Sequence, residues 1–308
     1  MKLISENLHI ISKNTKEAVK NRDEFYIKNL LKRQIAANPD WIDLNIGPAR
    51  GAFAGAMEWI VNIASEMTDI PLSLDTTNID EIESGLKLAK NPQNWIINST
   101  SADFERLVAV TDVAVKYNAN IIALTMNSEL GIPKESDGRL ELAFEINEKT
   151  QEKGIENEKI FFDPLILPVA VEQSQAVEAL NTIRMLKESF EPPVLTTIGH
   201  SNVSNGAPAH LRPLINRVFF VLAAGCGLDS AIVDSFDSEL LRINGLLENQ
   251  TPQNAADELI LSIYETMRDF GEIDDVACDL SDRNQLEIFK TARVLLNKTV
   301  YSNSYLEI

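Results

Sequence analysis

Seven short apolar runs in this chain are followed at once by an amide or a carboxylate: Asn45, Asp75, Asn98, Asn127, Asp163, Asn202 and Asp234. One such residue would be a helix cap or a turn former. Seven at the same place relative to a buried run would form a ring if the runs are neighbouring strands. Carboxylates and amides in a ring can pair edge-on with a flat heterocycle rich in N–H groups and carbonyls. The set holds no cation, so it suits phosphate badly. Its central member lies in the stretch 196–204, Thr-Thr-Ile-Gly-His-Ser-Asn-Val-Ser, where a β-branched run breaks into small and polar residues. Alone, that stretch is what a turn ending a strand looks like; its repetition elsewhere gives it a second meaning.

The elements that must position these residues alternate regularly. Short apolar runs at 8–11, 41–46, 71–76, 95–99, 121–126, 160–163, 194–198 and 231–234 read as strands. Helical spacing fills 16–38, 52–67, 79–90, 104–117, 140–152, 171–188 and 213–224, with Thr77 or Asn78 capping the third. Eight strands each followed by a helix predict an α/β fold of the (β/α)8 barrel type, in which catalytic groups sit at the C-terminal strand ends. No G-x-G-x-x-G or G-x-x-x-x-G-K is present, so the doubly wound nucleotide fold lacks its fingerprint. The barrel spans about 1–250. The tail 251–308 carries two more helical stretches, 254–269 and 282–296, separated by an acidic connector at 271–279, all expected to pack on the same single domain.

Composition limits the chemistry. Acidic residues outnumber basic ones 46 to 28 over 308 residues, for a net charge of −18, which argues against a nucleic-acid partner. No apolar run approaches membrane-spanning length, and the first residues lack a secretory signal, so a cytoplasmic protein is expected. The two cysteines, Cys226 and Cys278, and three scattered histidines encode neither a disulfide framework nor a zinc site. No metal bound by this chain is expected, and the chemistry must come from organic side chains and a bound cofactor or substrate.

The ring residues also carry a resemblance. Asp-Leu-Asn-Ile-Gly-Pro at 43–48, Leu-Asp-Thr-Thr-Asn at 74–78, Ile-Asn-Ser-Thr at 97–100 and Gly-Ile-Pro-Lys-Glu-Ser-Asp at 131–137 come first. Asp-Pro-Leu-Ile-Leu-Pro at 163–168, Ser-Asn-Val-Ser at 201–204 and Arg-Pro-Leu-Ile-Asn-Arg at 212–217 follow in order. Together they resemble the pterin-binding methyltransferases, in particular the methyltetrahydrofolate:corrinoid/iron–sulfur protein methyltransferase branch, over nearly the whole chain. The folate domain of cobalamin-dependent methionine synthase and dihydropteroate synthase are relatives of that branch.

The resemblance implies a TIM barrel, usually a homodimer, binding 5-methyltetrahydrofolate at its open face. By motif, Asp75, Asn98 and Asp163 would hold the pterin by its amino and ring nitrogens, and Asn202 would hydrogen-bond N5, the atom that carries the methyl. Asn205 and Arg212 would lie near the substrate. Two departures stand out: Glu6-Asn7-Leu8-His9 replaces the family's Glu-Arg-Ile-Asn, and Leu211 replaces an asparagine before Arg212-Pro213. The first leaves Asn7 and His9 without an inherited role. The implied reaction moves a methyl group between N5 and the cobalt of a corrinoid (cobalamin). A partner protein would bring the corrinoid, since no Asp-x-His-x-x-Gly signature is present. A tertiary amine leaves poorly, so N5 must be protonated or strongly hydrogen-bonded in the transition state. The direction of transfer, the identity of the partner and the source of the N5 proton stay open.

Two other readings are carried forward. A dihydropteroate synthase would show Asn-x-Thr-x-Asp-Ser-Phe in strand one and basic residues near the last strands, which are missing. A non-catalytic folate-binding module is opposed by the retention of Asn202.

Overall fold

The computed structural model describes residues 1–307. Its centre is a sheet of eight strands: β1 (Lys2–His9), β2 (Trp41–Asn45), β3 (Leu72–Asp75), β4 (Ile96–Thr100), β5 (Asn120–Leu124), β6 (Ile160–Asp163), β7 (Leu195–Thr196) and β8 (Ser230–Val233). All pairings are parallel and the order is β7-β6-β5-β4-β3-β2-β1-β8. The ends of that order meet. Ile232 N donates to Ile198 O at 2.9 Å, and Gly199 bridges Ile232 in parallel. The Asp229 carboxylate, paired with Lys187 at 2.8 Å, also accepts Thr196 N at 2.8 Å. The sheet is therefore a (β/α)8 barrel closed by a short β7.

Period-two alternation along each strand divides inside from outside. The inner floor is apolar: Ile4, Ile96, Ile122 and Phe161, with Trp41, Leu124, Leu195 and Ile232 packed against them. Two residues further along β1, β2, β4 and β6 the same inward face presents Glu6, Asp43, Asn98 and Asp163. The barrel thus changes from oil to acid and amide toward its C-terminal mouth.

Helices cover the outside: α1 (Lys13–Lys20), α2 (Glu24–Ala36), α3 (Ala56–Met67), α4 (Ile79–Leu88), α5 (Phe104–Tyr117), α6 (Ser136–Glu152), α7 (Ser174–Ser189), α8 (Arg212–Gly225) and α9 (Ser238–Asn249). The tail adds α10 (Ala255–Arg268) and α11 (Arg283–Leu295). Both tail helices share one buried apolar cluster with α7, α8 and α9. The fit of α10 against α8 is close enough to require Gly225, since a Cβ there would lie 2.6 Å from Met267 Cβ and 2.7 Å from Tyr264 O.

Several local expectations are corrected. The first strand is Lys2–His9 rather than 8–11; its polar centre, Ser5-Glu6-Asn7, is strand and not a preceding loop. The single helix expected over 16–38 is two, because Arg22 adopts a left-handed φ of 54° and Asp23 then caps α2 by accepting Tyr26 N at 3.0 Å. The strand expected over 194–198 has regular pairing only at Leu195–Thr196. The acidic connector 271–279 holds a short 3-10 turn, Ile273–Asp275, that buries Ile273. Of the two caps expected for the third helix, Asn78 fills the role at α4, accepting Asp80 N at 3.1 Å.

Candidate functional site

Sheet register assembles the first half of the site. Asp43 lies opposite Ser73, Asn45 opposite Asp75, and Asp75 opposite Asn98, so five polar side chains from β2, β3 and β4 come to one corner of the mouth. Asp43 is buried and its Oδ1 accepts from Ser73 Oγ at 2.6 Å and from Asn98 Nδ2 at 3.1 Å. Asn45 Nδ2 donates to Asp75 Oδ2. Burial pushes Asp43 up to about 6. It holds Asp75 well above the usual carboxylate range, and the neighbouring Asp43 charge pushes the same way. Two carboxyls that influence each other in this way titrate as a pair.

Arg106 closes the outer side of this corner without neutralising it. Its guanidinium donates to Ser99 O, Thr76 O and Thr77 O, tying the ends of β3 and β4 together. Neither Asp43 nor Asp75 forms a salt bridge among the described residues, although the Arg106 charge partly offsets the rise at Asp75.

Asp163 stands at the end of β6, buried, accepting Leu165 N at 2.7 Å and Gly199 N at 3.3 Å. Burial raises it to about 6. The loop it caps is held from the other side by Arg139, whose fully buried guanidinium donates to Leu165 O at 3.1 Å and Pro133 O at 2.9 Å. Leu165 sits at a φ of 63°, a conformation that this pair of contacts stabilises against its steric cost.

Through Gly199 the carboxylate reaches the second half of the site, a 3-10 turn at His200–Ser204. Asn202 is exposed on this turn. Its Oδ1 accepts from Asn205 Nδ2 at 3.2 Å, and Asn205 Oδ1 in turn accepts from Arg212 Nη2 at 3.1 Å. Gly199 makes a close approach: a Cβ there would lie 2.9 Å from Asn202 Nδ2, the far end of a flexible side chain. His200 beneath the turn is fully buried between Phe219 and Phe220, and desolvation lowers it to about 4. Its imidazole is neutral, and it reaches the cavity at the mouth.

The structure therefore gathers the expected residues into two groups, Asp75 with Asn98 and Asn202 with Asn205 and Arg212, with Asp163 touching the turn that carries the second. Of the other ring members, Asn127 is a turn former, its Oδ1 taken by Leu130 N at 2.7 Å. Asp234 accepts Asn7 Nδ2 at 2.6 Å and Phe236 N at 2.9 Å. That contact also accounts for Asn7, which fastens β1 to the end of β8 and accepts Ser235 N at 3.1 Å. His9 Nδ1 closes a turn by accepting Ser12 N at 3.3 Å.

Sequence reasoning missed Asp43, Glu6, Arg106 and Arg139. The signal for the first two was parity: each lies two residues beyond an inward apolar residue, Trp41 and Ile4. Glu6 Oε1 accepts Ser201 Oγ at 2.5 Å, and the two line a cavity of about 540 Å³ at the mouth together with Arg212, Asn216, Asp234 and Phe236. A second cavity, of about 490 Å³, lies on the outside between α8, α9, α10 and α11, away from the strand ends. Among the described residues no group of three or more His, Cys, Asp or Glu side chains could hold a metal ion, and no helix is long and apolar enough to cross a membrane.

Eight parallel strands with an acid-and-amide mouth define a class, and the sequence places the chain within it. Residues 29–234 match the model of the pterin binding enzyme family, and the chain belongs to that family. More particularly, it is similar to the methylcorrinoid:tetrahydrofolate methyltransferase of Eubacterium limosum, 25% identical over 243 residues that cover 78% of this chain and 88% of that protein. It is also similar to the methionine synthases of Mycobacterium leprae, at 28% over 78% of this chain, and Mycobacterium tuberculosis, at 27% over 81%. The match spans only 20% and 21% of those much longer proteins. Among solved structures, a Yersinia pestis dihydropteroate synthase bound to a pterine-sulfa conjugate superimposes with a TM-score of 0.56 at 14% identity, covering 80% of this chain and 94% of that one. A dihydropteroate synthetase with its product gives 0.58 at 15% identity, with the same coverage. At such identities the likeness is one of fold.

Proposed function

We propose that this protein transfers a methyl group between N5 of 5-methyltetrahydrofolate and the cobalt of a corrinoid carried by a partner protein. Family membership and the names of the relatives support the folate and the corrinoid. The single observation that carries the reading is the division of the mouth into a buried carboxyl–amide corner and an exposed amide turn joined through Asp163 and Gly199.

A pterin presents N–H donors on one edge and N5 on the other. In this reading Asp75, Asn98 and Asp163 take the donor edge, and Asp43 and Asn45 orient them. An ionised carboxylate accepting an N–H is an acceptor only, so the bound heterocycle stands in for the proton that burial otherwise keeps on this corner. Asn202 takes N5. A carboxamide can turn its oxygen toward N5 as that atom gains a proton and positive charge, stabilising the transition state more than the ground state. A fixed carboxylate at the same place would favour the protonated ground state as well.

A protein partner is supported by the rim. Ile11, Phe104, Leu130 and Val171 are all largely exposed in the segments that follow β1, β4, β5 and β6, which places large apolar side chains around the open face where a carrier must dock. The same reading has the chain as a homodimer, which sedimentation of the pure protein tests.

The deciding experiment mixes the protein with 5-methyltetrahydrofolate and free cob(I)alamin, and with tetrahydrofolate and methylcob(III)alamin, following the corrinoid spectrum. Conversion in either assay is the expected result, and the ratio of the two rates bears on direction. Tight folate binding with no spectral change in either assay would make the chain a folate-binding module instead.

A further inference from the structure

The methyl-transfer reading leaves one reactant unassigned, the proton. Taking CH3⁺ from a tertiary amine to Co(I) requires N5 to gain H⁺, which remains on the product as N5–H, while the cobalt is oxidised to methyl-Co(III). The carboxyls that hold the pterin edge cannot also release this proton without losing their grip on the ring. His200 is neutral, buried and packed against phenylalanines.

Glu6 is the acid at the mouth that bonds the turn carrying Asn202. It projects inward from β1, and its Oε1 lies 2.5 Å from Ser201 Oγ, the residue directly before Asn202 on the turn. Both line the cavity of about 540 Å³ that opens beside Arg212, which bonds Asn205, the partner of Asn202. The groups facing the carboxyl come from every element around it: Ser201 from the turn, Asp234 from the end of β8, Asp43 from β2 and Arg212 from α8. Burial is the main influence and raises Glu6 to about 7; the two aspartates push the same way, while Ser201 and Arg212 oppose. A carboxyl so placed divides between its acid and base forms at neutral pH, which is what a group that gives a proton in one direction and receives it in the other needs.

We propose that Glu6 is the proton source for N5, delivering its proton through the Ser201 hydroxyl to the face of the site that Asn202 addresses; the inference rests on the methyl-transfer reading. In the folate-to-cobalt direction the Glu6 O–H bond breaks, the Ser201 hydroxyl accepts that proton and gives up its own to N5, and Glu6 is left as a carboxylate that solvent reprotonates. In the reverse direction tetrahydrofolate N5 attacks the methyl of methyl-Co(III), the pair from the Co–C bond returns to cobalt as Co(I), and the proton expelled from N5 returns to Glu6. Glu6 acts through Ser201 and is a positioning residue for the proton, not a group in contact with the methyl.

The test is single-turnover methyl transfer at saturating folate, over roughly pH 5.5 to 8.5, for the parent, Glu6→Gln and Ser201→Ala, with equilibrium folate binding measured beside it. The parent's folate-to-cobalt rate should fall as pH rises through about 7, and the reverse rate should fall as pH drops below it. Glu6→Gln should be on the order of 10- to 100-fold slower at pH 6, without the inflection and with folate binding within about twofold, the range for loss of a general acid that solvent partly replaces. Glu6→Gln with the parent's rate and inflection overturns the proposal. Should that variant not fold, Ser201→Ala decides, since an unchanged rate there removes the relay. A parent that transfers no methyl in either direction sinks the methyl-transfer reading and this inference together, whereas a parent that transfers beside a parent-like Glu6→Gln sinks this inference alone.

Discussion

The two halves of the mouth are built on opposite principles. Asp43, Asn45, Asp75 and Asn98 stand on adjacent strands, placed by register and bonded to each other across the sheet, with Asp43 and Asn98 buried. Asn202 and Asn205 stand exposed on one 3-10 turn and are held by a side-chain chain ending at Arg212. A buried, register-locked group is fitted to hold a rigid ring, and it carries desolvated carboxyls to do so. An amide on a turn is fitted to follow a change of charge. If this division is right, substitutions in the two halves should separate into effects on binding and effects on rate.

The largest effect tests the cost of the buried half. Asp163 is held at about 6 against an ordinary 3.8, which corresponds to about 3 kcal/mol. Because its folded value lies above its unfolded one, the stability it contributes is fully present below about 3.8 and is lost as pH rises through about 6. Asp163→Asn should therefore show a smaller loss of unfolding free energy between those pH values than the parent, by up to about 3 kcal/mol. Glu6 and Asp43, raised in the same direction, are common to both proteins and cancel in the difference. Denaturant melts across that range measure it, and parallel curves would mean that Asp163 is not strained by its burial.

Next in size is the turn. Asn202→Ala should lower the rate constant at saturating folate by on the order of 10²-fold, the scale for losing one preorganised partner of a developing charge. Folate affinity should fall much less. Stopped-flow transfer beside equilibrium binding separates the two, and an unchanged maximal rate would return Asn202 to the role of a turn residue.

Asp75→Ala is the matching test in the corner. Folate affinity should weaken by roughly 1.5 to 3 kcal/mol, the range for a hydrogen bond to a charged group whose partner is left unpaired. The rate at saturation should change less than affinity does. Calorimetric titration with 5-methyltetrahydrofolate provides the number, and parent-like binding would place the pterin elsewhere.

How much of this could be read from the chain follows from where each residue sits along its strand. Asp75 and Asp163 end their apolar runs, so a sudden carboxylate marked them, as an amide marked Asn202. Asp43 lies inside the run Trp-Ile-Asp-Leu-Asn, where the terminal Asn45 drew the attention; only strand parity shows that both face inward. Glu6 was hidden more deeply, because Ser5-Glu6-Asn7 looks like loop until β8 and α2 are seen to occupy its two sides, Ser5 Oγ accepting Gln34 Nε2 at 2.7 Å and Asn7 pairing with Asp234. Arg139 could not be read at all, since its partners, Pro133 O, Leu165 O and Gln175 Oε1, come from two loops and α7, far apart along the chain. The barrel itself was legible because eight repeats of strand and helix average out local errors such as the break between α1 and α2.

The smallest expected effect is also the sharpest test of the comparison, because it removes no functional side chain. Gly199 links the halves: its N–H points to Asp163 and its Cα passes under Asn202. Its φ is negative, so an alanine there carries no left-handed strain, and the cost is the contact of the new methyl at 2.9 Å from Asn202 Nδ2. An amide at the end of an exposed side chain yields to such a contact by swinging away, so fold stability should change by less than about 1 kcal/mol. The swing moves the carboxamide from the position proposed to meet N5. Gly199→Ala should then slow transfer at saturating folate by about tenfold while leaving folate affinity near the parent's, as the Asp163 and Asp75 contacts are untouched. If affinity falls in step with rate, the corner and the turn are one mechanical unit, and the division between holding and reacting does not describe this protein.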